Sequence, residues 1–260
     1  MQGAGLALIS AHDETSETAA WNIRSALVDG FIVHCLEAGT PLLDLARQRG
    51  LPFVAVDIDP GEGDMAVCIG DRDAARIQTE HLLALGHRRF GILSLELTAE
   101  SRFGFVDRAR RQKTRYAVTR DRLAGYGDAL ATMGISLDDV PIMESVIERQ
   151  AGAAATAAIV DRAPDTTAIL AMSDVTALGA LDYAAGHGIA VPDRLSVIGF
   201  DGIPESAWSN PPLTTIAQPM VEKGRLAAQM VFDGGPPGVV TLDVELVVRG
   251  STGPAPLRTP

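Results

Sequence analysis

The stretch Ala168-Ile169-Leu170-Ala171-Met172-Ser173-Asp174-Val175-Thr176-Ala177-Leu178-Gly179-Ala180-Leu181 decides the fold class. Its first half is apolar on both faces, as a strand covered by helices on each side of a sheet must be. Ser173-Asp174 supplies helix-starting chemistry, and Leu178 and Leu181 recur on one face of the helix that follows. The same unit repeats outward in both directions. Strand-sized apolar runs lie at 5–10, 31–36, 52–57, 66–69, 89–95, 140–146 and 195–201. Between them, Pro41 opens a helix that Gly50 closes, and Asp71 is placed to cap a helix ending near Gly86. Leu123, Tyr126, Leu130 and Met133 form one apolar stripe, and Pro219 starts a helix through Leu226 and Met230. The string reads as an α/β fold with parallel sheets and right-handed crossovers.

Two segments break the alternation. Residues 96–118 are a long polar connection, and residues 201–219 carry Pro204, Pro211 and Pro212 before a short extended piece at 213–218. Both read as places where the chain crosses between lobes. Eight basic residues fall from Arg102 to Arg122. Without aromatic interleaving or helical register, 102–115 is expected to be a solvated, mobile loop rather than a phosphate grip. Arg122 differs: it opens an amphipathic helix beside the apolar stripe and is placed to point into a cleft. The three prolines of 251–260 predict a loose tail.

The chain has 260 residues, 47% of them hydrophobic, and a formal net charge of −11. That hydrophobicity excludes a disordered chain, and the acidic balance excludes a nucleic-acid grip by these residues as a whole. Cys35 and Cys68 lack a CxxC partner, so no disulfide or zinc site is expected and a reducing cytoplasm is the default. No apolar run reaches the roughly 18 residues of a membrane helix, and the N-terminus lacks the basic start of a secretory signal. GxxxxGK[ST], GxSxG and HExxH are absent, and no two histidines stand four apart. The reading is therefore a non-enzyme with no metal or cofactor.

Polar residues gather where ligands bind open parallel sheets, beyond the strands' carboxyl ends. His34, Asp57, Asp71, Asp73, Ser173, Asp174 and Asp201 all sit there. Convergent carboxylates, an imidazole and hydroxyls suit a small polyhydroxylated ligand, with an arginine fork donating. Asp71 and Asp174 also fit helix capping, and that reading is preferred for both. Asp201, followed by Gly202 and Pro204, opens no good helix and is read as functional.

Six segments taken together resemble the LacI/GalR family of transcriptional regulators, in their effector-binding part. They are Glu80-His81-Leu82 with Leu85-Gly86-His87-Arg88-Arg89, Arg122-Leu123-Ala124-Gly125-Tyr126, Ser173 through Leu181, Val191 through Asp201, Pro212-Leu213-Thr214-Thr215-Ile216, and Glu245 through Thr252. The resemblance implies a periplasmic-binding-protein-like fold: two Rossmann-like lobes, a ligand cleft between them and three crossovers, near Glu96, Gln218 and Gly238. It divides the chain into an N-terminal lobe of 1–96 plus 219–237 and a C-terminal lobe of 97–218 plus 238–260. It matches Arg122 and Asp201 to the family's effector fork, Ser173 to a position that often holds Asn, and His34, Asp73, Ile147 and Gln218 to further effector-binding positions. The helix-turn-helix headpiece that grips operator DNA has no counterpart in these residues. Residues 5–10 align with the family's second strand, so the first strand and helix of the N-terminal lobe have none either. The function implied is the effector-binding and dimerisation part of a transcriptional repressor, a cytoplasmic homodimer taking a sugar-like ligand and acting on operator DNA only through that headpiece. A periplasmic-type sugar-binding protein of a transport system shares the fold and is the alternative.

Overall fold

Phe53-Val54-Ala55-Val56 is buried on both faces, which only a strand with neighbours and two covering layers achieves. In the computed structural model, which describes residues 5–10, 17–100 and 102–257, it is the second strand of a small sheet. The chain runs through α1 (Glu17–Ser25), β1 (Phe31–His34), α2 (Pro41–Gln48), β2 (Phe53–Val56) and β3 (Met65–Ile69). It continues through α3 (Asp71–Ala84), β4 (Phe90–Ser94), β5 (Gly104–Phe105), α4 (Arg108–Arg111), α5 (Ala117–Ala131), β6 (Ile142–Glu144), α6 (Arg149–Arg162), β7 (Ala168–Ala171), α7 (Asp174–Gly186), β8 (Ser196–Asp201), α8 (Pro204–Trp208) and β9 (Thr214–Ala217). It closes with α9 (Met220–Asp233), β10 (Gly238–Leu242) and β11 (Glu245–Val247).

Two compact units result. The smaller holds the described residues up to Cys68 together with Met220–Leu242. Its sheet has the order β1-β2-β3-β10, with β1, β2 and β3 parallel in the registers Phe31↔Phe53 and Val54↔Met65. Leu42, Leu43, Ile23 and Phe53 pack one face of this unit, and Val54, Val67 and Ala227 the other. Pro41 begins α2 at its first position, as the sequence predicts.

The larger unit holds Ile69–Pro219 and the described residues from Asp243 onward. Its sheet has the order β11-β9-β8-β7-β4-β6-β5, parallel from β9 to β6 and antiparallel only at its two edges. Leu82, Leu123, Tyr126 and Leu130 of α3 and α5 pack one core cluster, and Ile159, Leu178 and Leu181 of α6 and α7 the other. Helix pairs meet closely at glycine: a Cβ on Gly125 would stand 2.1 Å from Arg72 O, and one on Gly179 2.0 Å from Arg149 O.

The structure departs from the sequence reading in several places. Residues 5–10 form no strand, and Leu6 and Leu8 are exposed; an apolar run becomes a strand only where a ladder partner pairs it. Residues 69–96 lie with the larger unit, because β4 pairs with β6 and β7 in its sheet. β10 lies in the smaller sheet, so the units divide after Cys68, Pro219 and Leu242. The basic segment is built rather than loose. Arg110 places Nη2 on Glu144 Oε1 at 2.7 Å and Nε on Oε2 at 2.9 Å, and Glu144 is fully buried. Asp71 is not a cap: Gly70 holds that position without a side-chain bond. Met133 lies beyond the end of α5 and is exposed. Residues 251–255 are tied down, Ser251 Oγ donating to Val197 O at 2.6 Å and Ala255 N to Leu85 O at 2.8 Å; residues 258–260 of the expected tail lie outside the described residues.

Candidate functional site

The parallel strands of the larger unit end in a polar residue or reach one within two residues, because the next step is a loop into a helix, where backbone donors need partners. Met172-Ser173 follows β7, Asp201 ends β8 and Gln218 follows β9. These are neighbouring strands, so their carboxyl ends form one row, and Arg122 comes to it from the first half of α5.

Arg122 is buried and held on three sides. Its Nε donates to Asp71 Oδ1 at 2.7 Å, Nη1 donates to Met172 O, and the guanidinium carbon lies 3.5 Å from the centre of the Phe200 ring. Burial works against its charge, and the charges of Asp71 and Asp201 outweigh that, so its pKa is raised. Among the described residues Nη2 makes no hydrogen bond.

Asp201 accepts from Gln218 Nε2 at 2.8 Å, and the nearby Ser173 hydroxyl and Asp174 amide favour its charged form. Burial raises its pKa against the pull of Arg122. Its φ of 120° is a backbone conformation that L residues rarely adopt. Asp174 holds that turn: its Oδ2 accepts from Gly202 N at 2.8 Å and Ile203 N at 2.9 Å, and its Oδ1 from Thr215 Oγ1 at 2.6 Å. Asp174 is fully buried, and burial, with the charge of Asp201, lifts its pKa to about 7 against those bonds. Ser173 also caps α7 by accepting from Val175 N at 3.2 Å.

The structure therefore brings Arg122, Asp201, Ser173 and Gln218 together and adds Asp71, for which sequence favours helix capping. An aspartate one residue past a glycine, on the helix that packs against the helix of a buried arginine, was the available signal. Asp73 is outside the group: its carboxylate is exposed and pairs with Arg76 at 3.3 Å. Ile147 is half exposed, beyond β6, and takes no part in these bonds.

His34 belongs to the smaller unit, at the carboxyl end of β1. Its Nε2 lies 3.3 Å from Asp57 Oδ2, one residue past β2. Lys223 of α9 donates to both oxygens of Asp57, at 2.9 and 2.7 Å, and is buried. Sequence reasoning missed Lys223, since a lysine in an amphipathic helix reads as solvent-facing. Among the described residues no cluster of three or more His, Cys, Asp or Glu fits a metal ion, and no helix is long and apolar enough to cross a membrane.

Residues 79–252 match the periplasmic binding protein-like domain family. An HTH-type transcriptional regulator of Mycobacterium tuberculosis is 37% identical over 97% of this chain and 71% of its own length. The solved LacI-family transcriptional regulator from Corynebacterium glutamicum is 31% identical with a TM-score of 0.83, covering 94% of this chain and 72% of that one. The chain belongs to the LacI family. A further solved LacI-family regulator, from Enterococcus faecium with bound ribose, is 28% identical with a TM-score of 0.73, covering 87% of this chain and 80% of that one. The present LacI-family chain corresponds to the effector domain of such regulators, and its parallel-sheet α/β architecture is theirs.

Proposed function

We propose that this LacI-family domain binds a small, polyhydroxylated effector at the carboxyl ends of the larger unit's strands, and that binding sets the operator affinity of the regulator to which it belongs. One observation carries the reading. Arg122 is fixed by Asp71, Met172 O and the Phe200 ring, yet the two N–H groups on its Nη2 have no partner among the described residues. A guanidinium immobilised on three sides and open on the fourth is preorganised to donate, without the cost of side-chain ordering on binding. Beside it, a carboxylate has about four acceptor positions. Asp201 uses one of them on Gln218, with Ser173 and the Asp174 amide close by, which leaves acceptor capacity for a ligand hydroxyl. The ribose held by a solved relative is a ligand of this class. The coupling to operator DNA is a two-state one, in which effector shifts the balance between forms of different DNA affinity.

The domain is read as a binding module rather than an enzyme, in keeping with the transcriptional regulators it resembles. It is also read as a cytoplasmic homodimer. A groove of about 530 Å³ on the larger unit is lined by Leu178, Leu181, Pro204 and Trp208, with Arg149, Asp182 and Glu205 supplying both signs of charge. Trp208 is 85% exposed, and an exposed aromatic beside an apolar groove suits burial against a second copy across a two-fold axis. Sedimentation equilibrium tests this: Trp208→Glu is expected to shift a dimer to monomer, and an unchanged mass would move the interface elsewhere. The effector reading is tested by titration calorimetry of sugars against the wild type and Asp201→Asn.

A further inference from the structure

Asp174 stands at the first position of α7, yet its carboxylate does not serve that helix. The cap of α7 is Ser173, whose hydroxyl accepts from Val175 N at 3.2 Å. Asp174 reaches across to two other elements instead. Oδ2 accepts from Gly202 N and Ile203 N, in the turn between β8 and α8, and Oδ1 accepts from Thr215 Oγ1 on β9. The carboxylate also lies against bare backbone of β8: a Cβ on Gly199 would stand 2.1 Å from Oδ1. The bonds to Gly202 and Ile203 tie down the residues immediately after Asp201, whose φ of 120° is a value that L residues rarely adopt.

This bonding tolerates a change of charge. Thr215 Oγ1 has a second acceptor, Ile216 O, at 3.3 Å. A proton on Oδ1 can therefore be donated to Thr215 Oγ1 while that hydroxyl turns its own hydrogen to Ile216 O, and Oδ2 keeps both backbone donors. What changes is the charge beside Asp201. Burial and Asp201 lift the pKa of Asp174 to about 7, so the change falls near neutrality. Asp201, at the end of β8, is the charge that acts on Asp174. From α5, Arg122 acts on Asp201, and from α3, Asp71 pairs with Arg122. β9 faces the carboxyl with neutral Thr215. On α6, Arg149 pairs with Asp182, further along α7, and Glu205 of α8 lines the groove with them.

We propose that Asp174 is the positioning residue of the effector site and its proton switch: it holds Asp201 in the turn that presents it to a ligand hydroxyl, and its ionisation weakens effector binding. The inference rests on the hydroxyl-binding reading of Arg122 and Asp201 and adds the regulation of that site. A bound ligand excludes water from Asp201, which strengthens the repulsion between two ionised carboxylates. Ligand therefore favours a protonated Asp174, and by reciprocity its affinity falls as pH rises through 7.

Asp174→Asn is the neutral isostere: its oxygen can accept from Gly202 N and Ile203 N, and its amide can donate to Thr215 Oγ1. Two measurements on the whole chain use it. In ligand-free NMR, the backbone amides of Gly202 and Ile203 and the side-chain amide of Gln218, which donates to Asp201 Oδ1 at 2.8 Å, should share one titration near pH 7. Asp174→Asn should abolish it. In calorimetry with ribose, wild-type affinity should be about three- to tenfold weaker at about pH 8 than at about pH 6, while Asp174→Asn keeps one affinity at both. A Gln218 amide that does not follow the titration overturns the proposal, and so does a titration that persists in folded Asp174→Asn. Equal ribose affinity of the wild type at both pH values also overturns it. A wild type that gives no ribose heat at either pH counts against the hydroxyl reading, and the NMR result then decides the role of Asp174 by itself.

Discussion

Arg122 shows how one side chain carries structure and function together. It is buried, and its partner Asp71 is buried with it. Truncating it removes the counter-charge of a buried carboxylate, and breaking a buried pair from one side costs about 3–5 kcal/mol. Arg122→Ala should therefore lower the urea midpoint substantially as well as abolish effector binding, and a variant of wild-type stability would show that Arg122 is not the main support of Asp71. Asp201→Asn is the cleaner probe. The amide keeps the shape and one acceptor oxygen but loses the charge-assisted bond, worth about 1.5–3 kcal/mol, so effector affinity should drop about 10- to 100-fold in calorimetry. Polarity at strand ends makes Asp201 and Ser173 readable from sequence. Asp71 and Lys223 are not, because an aspartate at a helix start and a lysine on a helix have ordinary solvent-facing explanations that only packing overrides.

At the scale of elements, the alternation of apolar runs and helical stripes is legible because parallel strands are buried on both faces and leave an unbroken apolar signature. Strands β1 to β4 and β6 to β8 lie within or overlap the runs read from the sequence. The exceptions have local causes: residues 5–10 have the pattern of a strand but no ladder partner, and β10, Gly-Val-Val-Thr-Leu, is an edge strand whose residues stay exposed but for the last. Residues 102–115 mislead through their charge. Arg110 is not a solvated side chain but the counter-ion of buried Glu144, whose Oε1 also accepts from Leu97 N at 3.0 Å. Arg110→Ala should thus destabilise the larger unit by about 3–5 kcal/mol, where a free loop would show almost no change in denaturant unfolding. The helix contacts yield a second expectation. Gly179→Ala puts a methyl against the backbone of α6, where a flexible side chain cannot make way. A loss of about 1–3 kcal/mol or more is expected from such overpacking, and a neutral result in thermal melts would mean that α6 and α7 can separate freely.

For the molecule as a whole, the alternating strand and helix signals together with the six family-like segments make the periplasmic-binding-protein-like class legible in the sequence. The division into units is less legible, since sheet membership of β4 and β10 depends on long-range pairing that no local pattern encodes. Asp174 links this scale to pH. Its pKa is raised to about 7 from the ordinary value near 3.8, so the folded state binds a proton that the unfolded state releases. Its contribution to stability is complete below the ordinary carboxyl range and declines as pH rises toward and through 7. Between about pH 5 and 6.5 the burial-lowered His81 and His87 pull the other way, so the expectation is a difference: the denaturation midpoint of the wild type should fall relative to that of Asp174→Asn as pH rises. A slope unchanged by the substitution would place the titration elsewhere.

The central claim is that Arg122 and Asp201 present a preorganised donor and acceptor to a polyhydroxylated ligand. Titration calorimetry of a sugar panel that includes ribose, run on the wild type and on Asp201→Asn with folding of both confirmed by melting, tests it most directly. The account predicts saturable binding of at least one sugar to the wild type and affinity about 10- to 100-fold weaker in the variant. Equal affinity in the two folded proteins, or no binding across the panel, would contradict it.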